Sequence, residues 1–185
     1  MDEMRFDNLS RTERYFTATL LPGLLFHDNF RGLEEFLAFL RNKGIIQIDN
    51  TSINLDAVQL ITEFCVARDV NHARPGMIDV RRIVKDNRSP DIVIVHNDLI
   101  IVIEGKFFSK NQDAKEIADQ IIDHDMLFNQ AVRNIECYQN HKIVHALLTD
   151  SDNAEKIKNY PQFRWKIITW EDVLEISSAV LGEKH

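Results

Sequence analysis

The chain has 185 residues, of which 44% are hydrophobic and 28% are charged, and its formal net charge is −7 at pH 7. This composition is typical of a globular protein and excludes a disordered chain. The acidic balance argues against a protein that coats nucleic acid without sequence preference, and no apolar run reaches the roughly 18 residues that a membrane span needs. We therefore expect one domain over residues 1–185, in the cytoplasm and without a membrane partner. Cys65 and Cys137 form no CxxC pair and are expected to be buried free thiols.

The first fifty residues have the pattern of a helical extension. Ser10 and Glu13 fit a capping box for a first helix, which Pro22 is expected to end. Apolar residues at helical spacing predict a second helix from Phe30 to Lys43, and glycine at the next position favours its end there. We assign residues 1–50 to this extension and residues 51–185 to the core.

The core alternates between helical and strand patterns. A helix is predicted from Asn54 to Val70, where apolar residues recur at helical spacing. The later segments predict, in chain order, a strand over 77–84, two strands containing the apolar runs 92–95 and 99–103, a helix over 112–138 with a break near His124, a strand over 142–149, a helix over 152–160, a strand over 163–169 and a helix over 171–181. This order predicts the α/β class, with a central mixed sheet flanked by helices.

The two apolar runs are expected to form a central hairpin, because neither alternates as a half-exposed strand does. Asn97 and Asp98 lie between them and tolerate the positive φ of a two-residue turn. Counting outward from that turn places Asp91 opposite Glu104, and cross-strand partners project from the same face. Lys106, two residues further on, projects from that face as well. A longer loop would shift this register.

Two facing carboxylates destabilise a strand end unless their charges are compensated. Lys106 can neutralise one of them. A divalent cation would compensate for the rest, and Mg²⁺ prefers a few carboxylate oxygens together with waters and substrate phosphates. The alternative is a frayed strand end at which all three groups reach water.

Pro90-Asp91, twelve residues and then Glu104-Gly105-Lys106 resemble the signature of the PD-(D/E)XK nuclease superfamily. The resemblance covers about residues 51–170. It implies the restriction-endonuclease-like fold, with an αβββαβ core, the first acid on the second strand and the ExK residues on the third. The D…ExK pattern alone occurs often by chance, whereas its placement on these strands in this element order is more specific.

The resemblance also implies roles for individual residues. Asp91 and Glu104, with the carbonyl of Gly105, would bind Mg²⁺ or Mn²⁺. Lys106 would orient or activate the attacking water and stabilise charge in the transition state. Many members add an acid from the helix before the strands, and Glu63 is the candidate for it here.

Residues after the ExK motif are candidates for substrate binding. By the same resemblance, Gln120 or Gln130 on the following helix would lie near the site. Lys110 and Lys115 follow the motif, and either one is placed to contact a phosphate. For each of them, an ordinary exposed position on the helix is the alternative interpretation.

These observations favour a metal-dependent nuclease that hydrolyses phosphodiester bonds through a water activated by two carboxylates, a lysine and Mg²⁺. We expect a nucleic-acid partner, DNA in preference to RNA, and allow for a homodimer, which sequence-specific cutters often need. Endonuclease and exonuclease activity both remain open. The alternative function is a nuclease-like domain that binds nucleic acid or a protein partner without cutting.

Overall fold

A computed structural model describes residues 16–48, 54, 57–64, 90–106, 114–160 and 163–182. Within these ranges a π-helical turn, Phe16–Leu20, leads into the first of four helices, and five strands form one sheet. The helices are α1 (Leu21–Asn42), α2 (Ala114–Ala131), α3 (Ser151–Lys158) and α4 (Trp170–Leu181). The strands are β1 (Val58–Thr62), β2 (Ile92–His96), β3 (Leu99–Gly105), β4 (Lys142–Thr149) and β5 (Lys166–Thr169). No helix in the described ranges is long and apolar enough to cross a membrane.

The sheet is mixed, in the order β1-β2-β3-β4-β5. Its first three strands are antiparallel, and β4 and β5 then run parallel to β3. Parallel neighbours need a crossover, and α2 and α3 supply the two crossovers. This arrangement confirms the predicted α/β class and the restriction-endonuclease-like fold.

The hairpin strands β2 and β3 lie at the centre of the sheet, as predicted, and all of their residues are buried. Helices α1 and α4 pack together on one face, where they cover apolar side chains of β2, β3 and β4. On the opposite face α2 and α3 cover Leu147. Apolar burial on both faces explains why neither run alternates.

The helix predicted from Asn54 to Val70 is wrong, because residues 58–62 form the edge strand β1. This segment, VQLIT, pairs antiparallel with β2 from Val58↔His96 to Thr62↔Ile92. Its apolar residues fit a strand as well as a helix, and pairing with an apolar partner decides between the two. The strand predicted over 77–84 and Cys65 lie outside the described residues.

The predicted helix end at Pro22 is also wrong, because Pro22 lies in the first turn of α1. There the missing N–H costs nothing, since a first-turn N–H has no partner within the helix. The helix is instead kinked at 27–30, where Asp28, Asn29 and Phe30 have positive φ. It ends at Asn42 before Gly44, which has φ +66° and agrees with the predicted end.

Helix α2 is shorter than predicted and continues through His124 without a break. It ends at Ala131, and a 3₁₀ turn, Val132–Asn134, follows it. Cys137 lies in the turns beyond and is exposed, so the prediction of a buried thiol is wrong there. Strand β4 has the predicted bounds, and α3, β5 and α4 differ from prediction by a few residues at their ends.

A capping box at the start of α4 also ties this helix to α1. The Thr169 hydroxyl accepts a hydrogen bond from the Asp172 N–H, and the Asp172 carboxylate accepts from the Thr169 N–H at 2.9 Å and from Lys43 Nζ at 3.0 Å. Burial acts to raise the pKa of Asp172, but the Thr169 N–H, Lys43 and the Thr169 hydroxyl outweigh it and hold the pKa below its ordinary value of 3.8.

Asp172→Asn is therefore expected to lower the free energy of unfolding at pH 7 by about 1 kcal/mol. A carboxyl with a lowered folded pKa stabilises the fold above its unfolded pKa, so the difference should fade as the pH falls below 3.8. Urea unfolding at pH 7 and pH 3 measures this change. Glu175→Gln, which removes the same charge from an exposed position on α4, is the control and should change stability little at either pH. A loss that stays constant with pH would contradict the account.

Candidate active site

The hairpin register brings Asp91 and Glu104 to the same end of the sheet. The strands pair from His96↔Leu99 to Ile92↔Ile103, which confirms the predicted register, and Asn97 has φ +52° as the turn requires. Asp91 comes just before β2, and Glu104 is the next residue of β3 after Ile103. The Glu104 side chain projects from the face that α2 covers, where Gln120 contacts it, and the Asp91 carboxylate accepts a hydrogen bond from the Gly105 N–H.

Three elements hold Asp91 in place. The Gly105 N–H on β3 donates to Asp91 Oδ2 at 2.7 Å. The Glu63 N–H, just beyond β1, donates to the Asp91 main-chain carbonyl at 2.8 Å. The Thr17 hydroxyl, from the turn before α1, is hydrogen-bonded to the Asp91 carboxylate, and Thr17 is itself 1% exposed.

Glu104 and Lys106 form a buried ion pair. Lys106 Nζ donates to Glu104 Oε1 at 2.6 Å, and both side chains are 4% exposed. Gln120 Nε2, from α2, donates to the same oxygen. Taking two charges out of water costs several kcal/mol per ion, and only good geometry and further hydrogen bonds offset that cost. A buried ion pair at a strand end therefore indicates a chemical role more than a contribution to stability.

The main-chain carbonyl of Gly105 points toward Asp91. The Lys106 N–H donates to the Leu148 carbonyl on β4 at 2.7 Å. The described residues contain no cis peptide bond, and the C=O and N–H of a trans peptide point in opposite directions. The Gly105 carbonyl therefore points away from β4, toward the side of β3 on which Asp91 lies.

Glycine is required at position 105 by close packing. A Cβ built there would lie 2.6 Å from Thr17 Cγ2, well inside ordinary contact distance, and 3.4 Å from Asp91 Oδ2. Because Thr17 fills the space beside Gly105, the chain has no room for a side chain in the middle of its ExK motif.

Gly105→Ala is expected to lower the free energy of unfolding by about 1–3 kcal/mol through overpacking. Adding Thr17→Ser, which deletes the clashing methyl but keeps the hydroxyl, should recover most of that loss. Urea unfolding of the single and double variants measures both effects. Gly23→Ala is the control, since nothing lies within 4 Å of its Cβ position. A double variant no more stable than Gly105→Ala would contradict this account.

The environment of Asp91 disfavours its charged form. Burial raises the pKa of the carboxyl above its ordinary value of 3.8. The Gly105 N–H and the charge of Lys106 lower it, though by less than burial raises it. The Thr17 hydroxyl also lowers it, and the charge of Glu63 adds to the rise. A cation bound at the carboxylate would favour the ionised form.

The groups gathered here fit a hard divalent cation. Two carboxylates, of Asp91 and Glu104, and a backbone carbonyl, of Gly105, offer oxygen donors of the kind that Mg²⁺ and Mn²⁺ take. No group of three or more His, Cys, Asp or Glu side chains in the described ranges is arranged to hold a metal ion. Mg²⁺ commonly keeps several waters and binds through one or two carboxylates.

Glu63 lies near the site, but not on the predicted helix. It directly follows β1, has φ +51° and is half-buried. Its charge contributes to the raised pKa of Asp91. The prediction of a helix here is wrong. Glu63 is instead held close to Asp91 by the hydrogen bond from its own N–H to the Asp91 main-chain carbonyl, at the end of β1.

The candidates for substrate binding are not equally placed. Gln120 contacts Glu104 from α2, as described above. Lys115 is exposed in the first turn of α2. Gln130 belongs to the last turn of α2, but its side chain, like the whole of Lys110, lies outside what the structure describes.

Thr17 is the residue at this site that the sequence pattern does not reveal. It precedes α1, more than 70 residues before Asp91, and carries no motif. The one signal is the glycine in the ExK motif, which indicates that something approaches the backbone closely. It does not say which residue approaches.

Comparison with known families agrees with this geometry. The sequence profile of the PD-(D/E)XK nuclease superfamily matches residues 20–185, nearly the whole chain and well beyond the expected 51–170. The match includes α1, which packs on the sheet. No curated protein and no solved structure matches the chain. The chain belongs to the PD-(D/E)XK nuclease superfamily.

Proposed function

We propose that this protein is a metal-dependent nuclease that hydrolyses phosphodiester bonds in DNA. The observation that carries the proposal is the buried Glu104–Lys106 pair beside Asp91 at one end of the central hairpin. Buried titratable groups with opposed charges, gathered at one point, are typical of a catalytic centre. Membership of a nuclease superfamily supports the same reaction class.

Asp91, Glu104 and the Gly105 carbonyl are the proposed holders of Mg²⁺ or Mn²⁺. When bound, such an ion makes a water nucleophilic near neutral pH and compensates charge on the phosphate oxygens. The hydrogen bond from the Gly105 N–H fixes the orientation of the Asp91 carboxylate. The Glu104 carboxylate is fixed by Lys106 and Gln120.

Lys106 is the proposed catalytic cation. Its ammonium carries three N–H donors, of which Glu104 Oε1 accepts one. The ammonium is therefore held beside Glu104, where its proposed role is to orient a water or to donate to a phosphate oxygen of the substrate. In a site with little water, such a donor stabilises developing negative charge far better than in solution.

Further residues are assigned to the same reaction as proposals. Glu63 would act as an additional acid near Asp91, since its charge already influences that carboxyl. Gln120 would hold Glu104 and approach the substrate from α2. Lys110 would contact a phosphate.

A substrate panel tests this function. The wild-type protein is incubated with duplex, single-stranded and branched DNA and with RNA, each in Mg²⁺, in Mn²⁺ and in EDTA. We expect cleavage of DNA that requires metal, and products from circular substrates distinguish endonuclease from exonuclease activity. Binding without cleavage in every metal would instead support the alternative, a nuclease-like binding domain, while faster cleavage of RNA would correct the substrate.

The domain organisation, location and oligomeric state of the protein are also proposals. We propose a single domain, on whose sheet α1 packs from one face and α2 from the other, and we propose a cytoplasmic location and a nucleic-acid partner. A homodimer stays a prediction, which light scattering coupled to size-exclusion chromatography measures directly.

A further inference from the structure

Thr17 contacts two parts of the candidate active site at once. Its hydroxyl is hydrogen-bonded to the Asp91 carboxylate. Its methyl group fills the space that a side chain at Gly105 would need, with Cγ2 2.6 Å from that Cβ position. The residue is 1% exposed, so the contact is shielded from water. Thr17 also precedes residue 20, where the match to the family begins.

The local backbone at Thr17 is unusual. Residues Phe16–Leu20 form a π-helical turn before α1. Such turns are rare and occur frequently at functional sites. Thr17 belongs to this turn, and its side chain reaches the end of the central hairpin.

A carboxylate that is to bind an ion needs a fixed plane. The terminal torsion of aspartate is broad, so one hydrogen bond leaves the carboxylate free to rotate. The Gly105 N–H supplies one donor, at 2.7 Å from Oδ2, and the Thr17 hydroxyl supplies a second from a different element. Two donors on separate elements fix the plane, and partners of this kind commonly change metal affinity by about 10–100-fold.

We infer that Thr17 is a positioning residue, which holds the Asp91 carboxylate in the orientation that binds the divalent ion. The inference rests on the proposed metal-dependent function. It assigns a part of the site to residues that lie before the family match. It also explains why the glycine of the ExK motif and the threonine occur together: the backbone at Gly105 and the hydroxyl of Thr17 approach the same carboxylate.

The test separates the hydroxyl of Thr17 from its shape. Thr17→Val keeps the shape and the methyl but removes the hydroxyl, and it should weaken Mn²⁺ binding by about 10–100-fold in isothermal titration calorimetry. Thr17→Ser keeps the hydroxyl and should bind Mn²⁺ within about threefold of wild type. Thr17→Ala also removes the hydroxyl and is smaller than valine, so it adds no bulk to the turn. It should weaken Mn²⁺ binding as Thr17→Val does.

Thr19→Val is the matched control, because Thr19 lies in the same π-helical turn but is exposed. It should leave Mn²⁺ affinity unchanged. A readout without metal accompanies the titration: the NMR amide signal of Gly105, which donates to Asp91, should shift in Thr17→Val and stay near its wild-type position in Thr17→Ser.

The outcomes separate this inference from the proposed function. Wild-type protein that binds Mn²⁺ but cuts no nucleic acid would overturn the function, while a loss of affinity in Thr17→Val alone would still support the role of Thr17. Metal-dependent cleavage with equal Mn²⁺ affinity in wild type and Thr17→Val would overturn the role of Thr17 and leave the function standing. Equal losses in Thr17→Val and Thr17→Ser, or no Mn²⁺ binding by wild type, would also overturn it.

Discussion

Replacing Lys106 by methionine is expected to lower the free energy of unfolding of the metal-free protein by about 3–5 kcal/mol. Methionine keeps most of the aliphatic volume, so the loss comes from charge and not from a cavity. The Glu104 carboxylate, 4% exposed, would remain buried without the ammonium that now lies 2.6 Å away. Urea unfolding in EDTA, followed by circular dichroism, measures the loss.

The double variant Lys106→Met, Glu104→Gln identifies the cause. With both charges removed, the amide at 104 can still accept from Gln120, and more than half of the stability lost in Lys106→Met should return. Lys156→Met, the same change at an exposed position of α3, is the control and should alter stability by less than about 0.5 kcal/mol. A double variant less stable than Lys106→Met would contradict the assignment of a costly buried pair.

Lys106→Met is also expected to slow metal-dependent cleavage by about 10²–10⁴-fold, the range for a positioned group that transfers protons or stabilises charge in the transition state. The ammonium is held at the acid pair by Glu104, so its removal takes the donor away from the reacting phosphate. Single-turnover cleavage, at a temperature where circular dichroism shows the variant folded, measures the change. Lys156→Met, at an exposed position of α3, should leave the cleavage rate close to that of wild type.

The hairpin and the groups at its end could be predicted from the sequence, because they follow from local rules. Two apolar runs around Asn97-Asp98 allow one short turn, and the period of two along a strand then decides which side chains share a face. That arithmetic places Asp91, Glu104 and Lys106 together before any long-range contact is known. Strand β4 is found for a similar reason, since its apolar run is continuous and short.

Features that depend on distant contacts could not be predicted. Residues 58–62 pair with β2, and only that pairing distinguishes their pattern from a helix. The same strand end brings Glu63 to Asp91 through a main-chain hydrogen bond. Thr17 reaches the site through a π-helical turn, and the composition of FTATL does not reveal such a turn. In each case tertiary packing overrides or supplements local propensity.

The pairing of charges was also beyond prediction. The sequence indicates two carboxylates and one ammonium, but not which carboxylate takes the ammonium. In the structure Lys106 donates a hydrogen bond to Glu104, whereas the Asp91 carboxylate accepts hydrogen bonds from the Gly105 N–H and the Thr17 hydroxyl. The two acids therefore have different surroundings, although both lie at the same end of one hairpin.

We propose that Asp91, Glu104 and Lys106 form one metal-dependent nuclease centre. The most direct test is the single-turnover rate of DNA cleavage by wild type and by Lys106→Met, each in Mg²⁺ and in EDTA. We expect cleavage by wild type in Mg²⁺, none in EDTA, and a rate at least about 10²-fold lower in the variant. Cleavage that continues in EDTA, or a folded variant that cuts as fast as wild type, would contradict it.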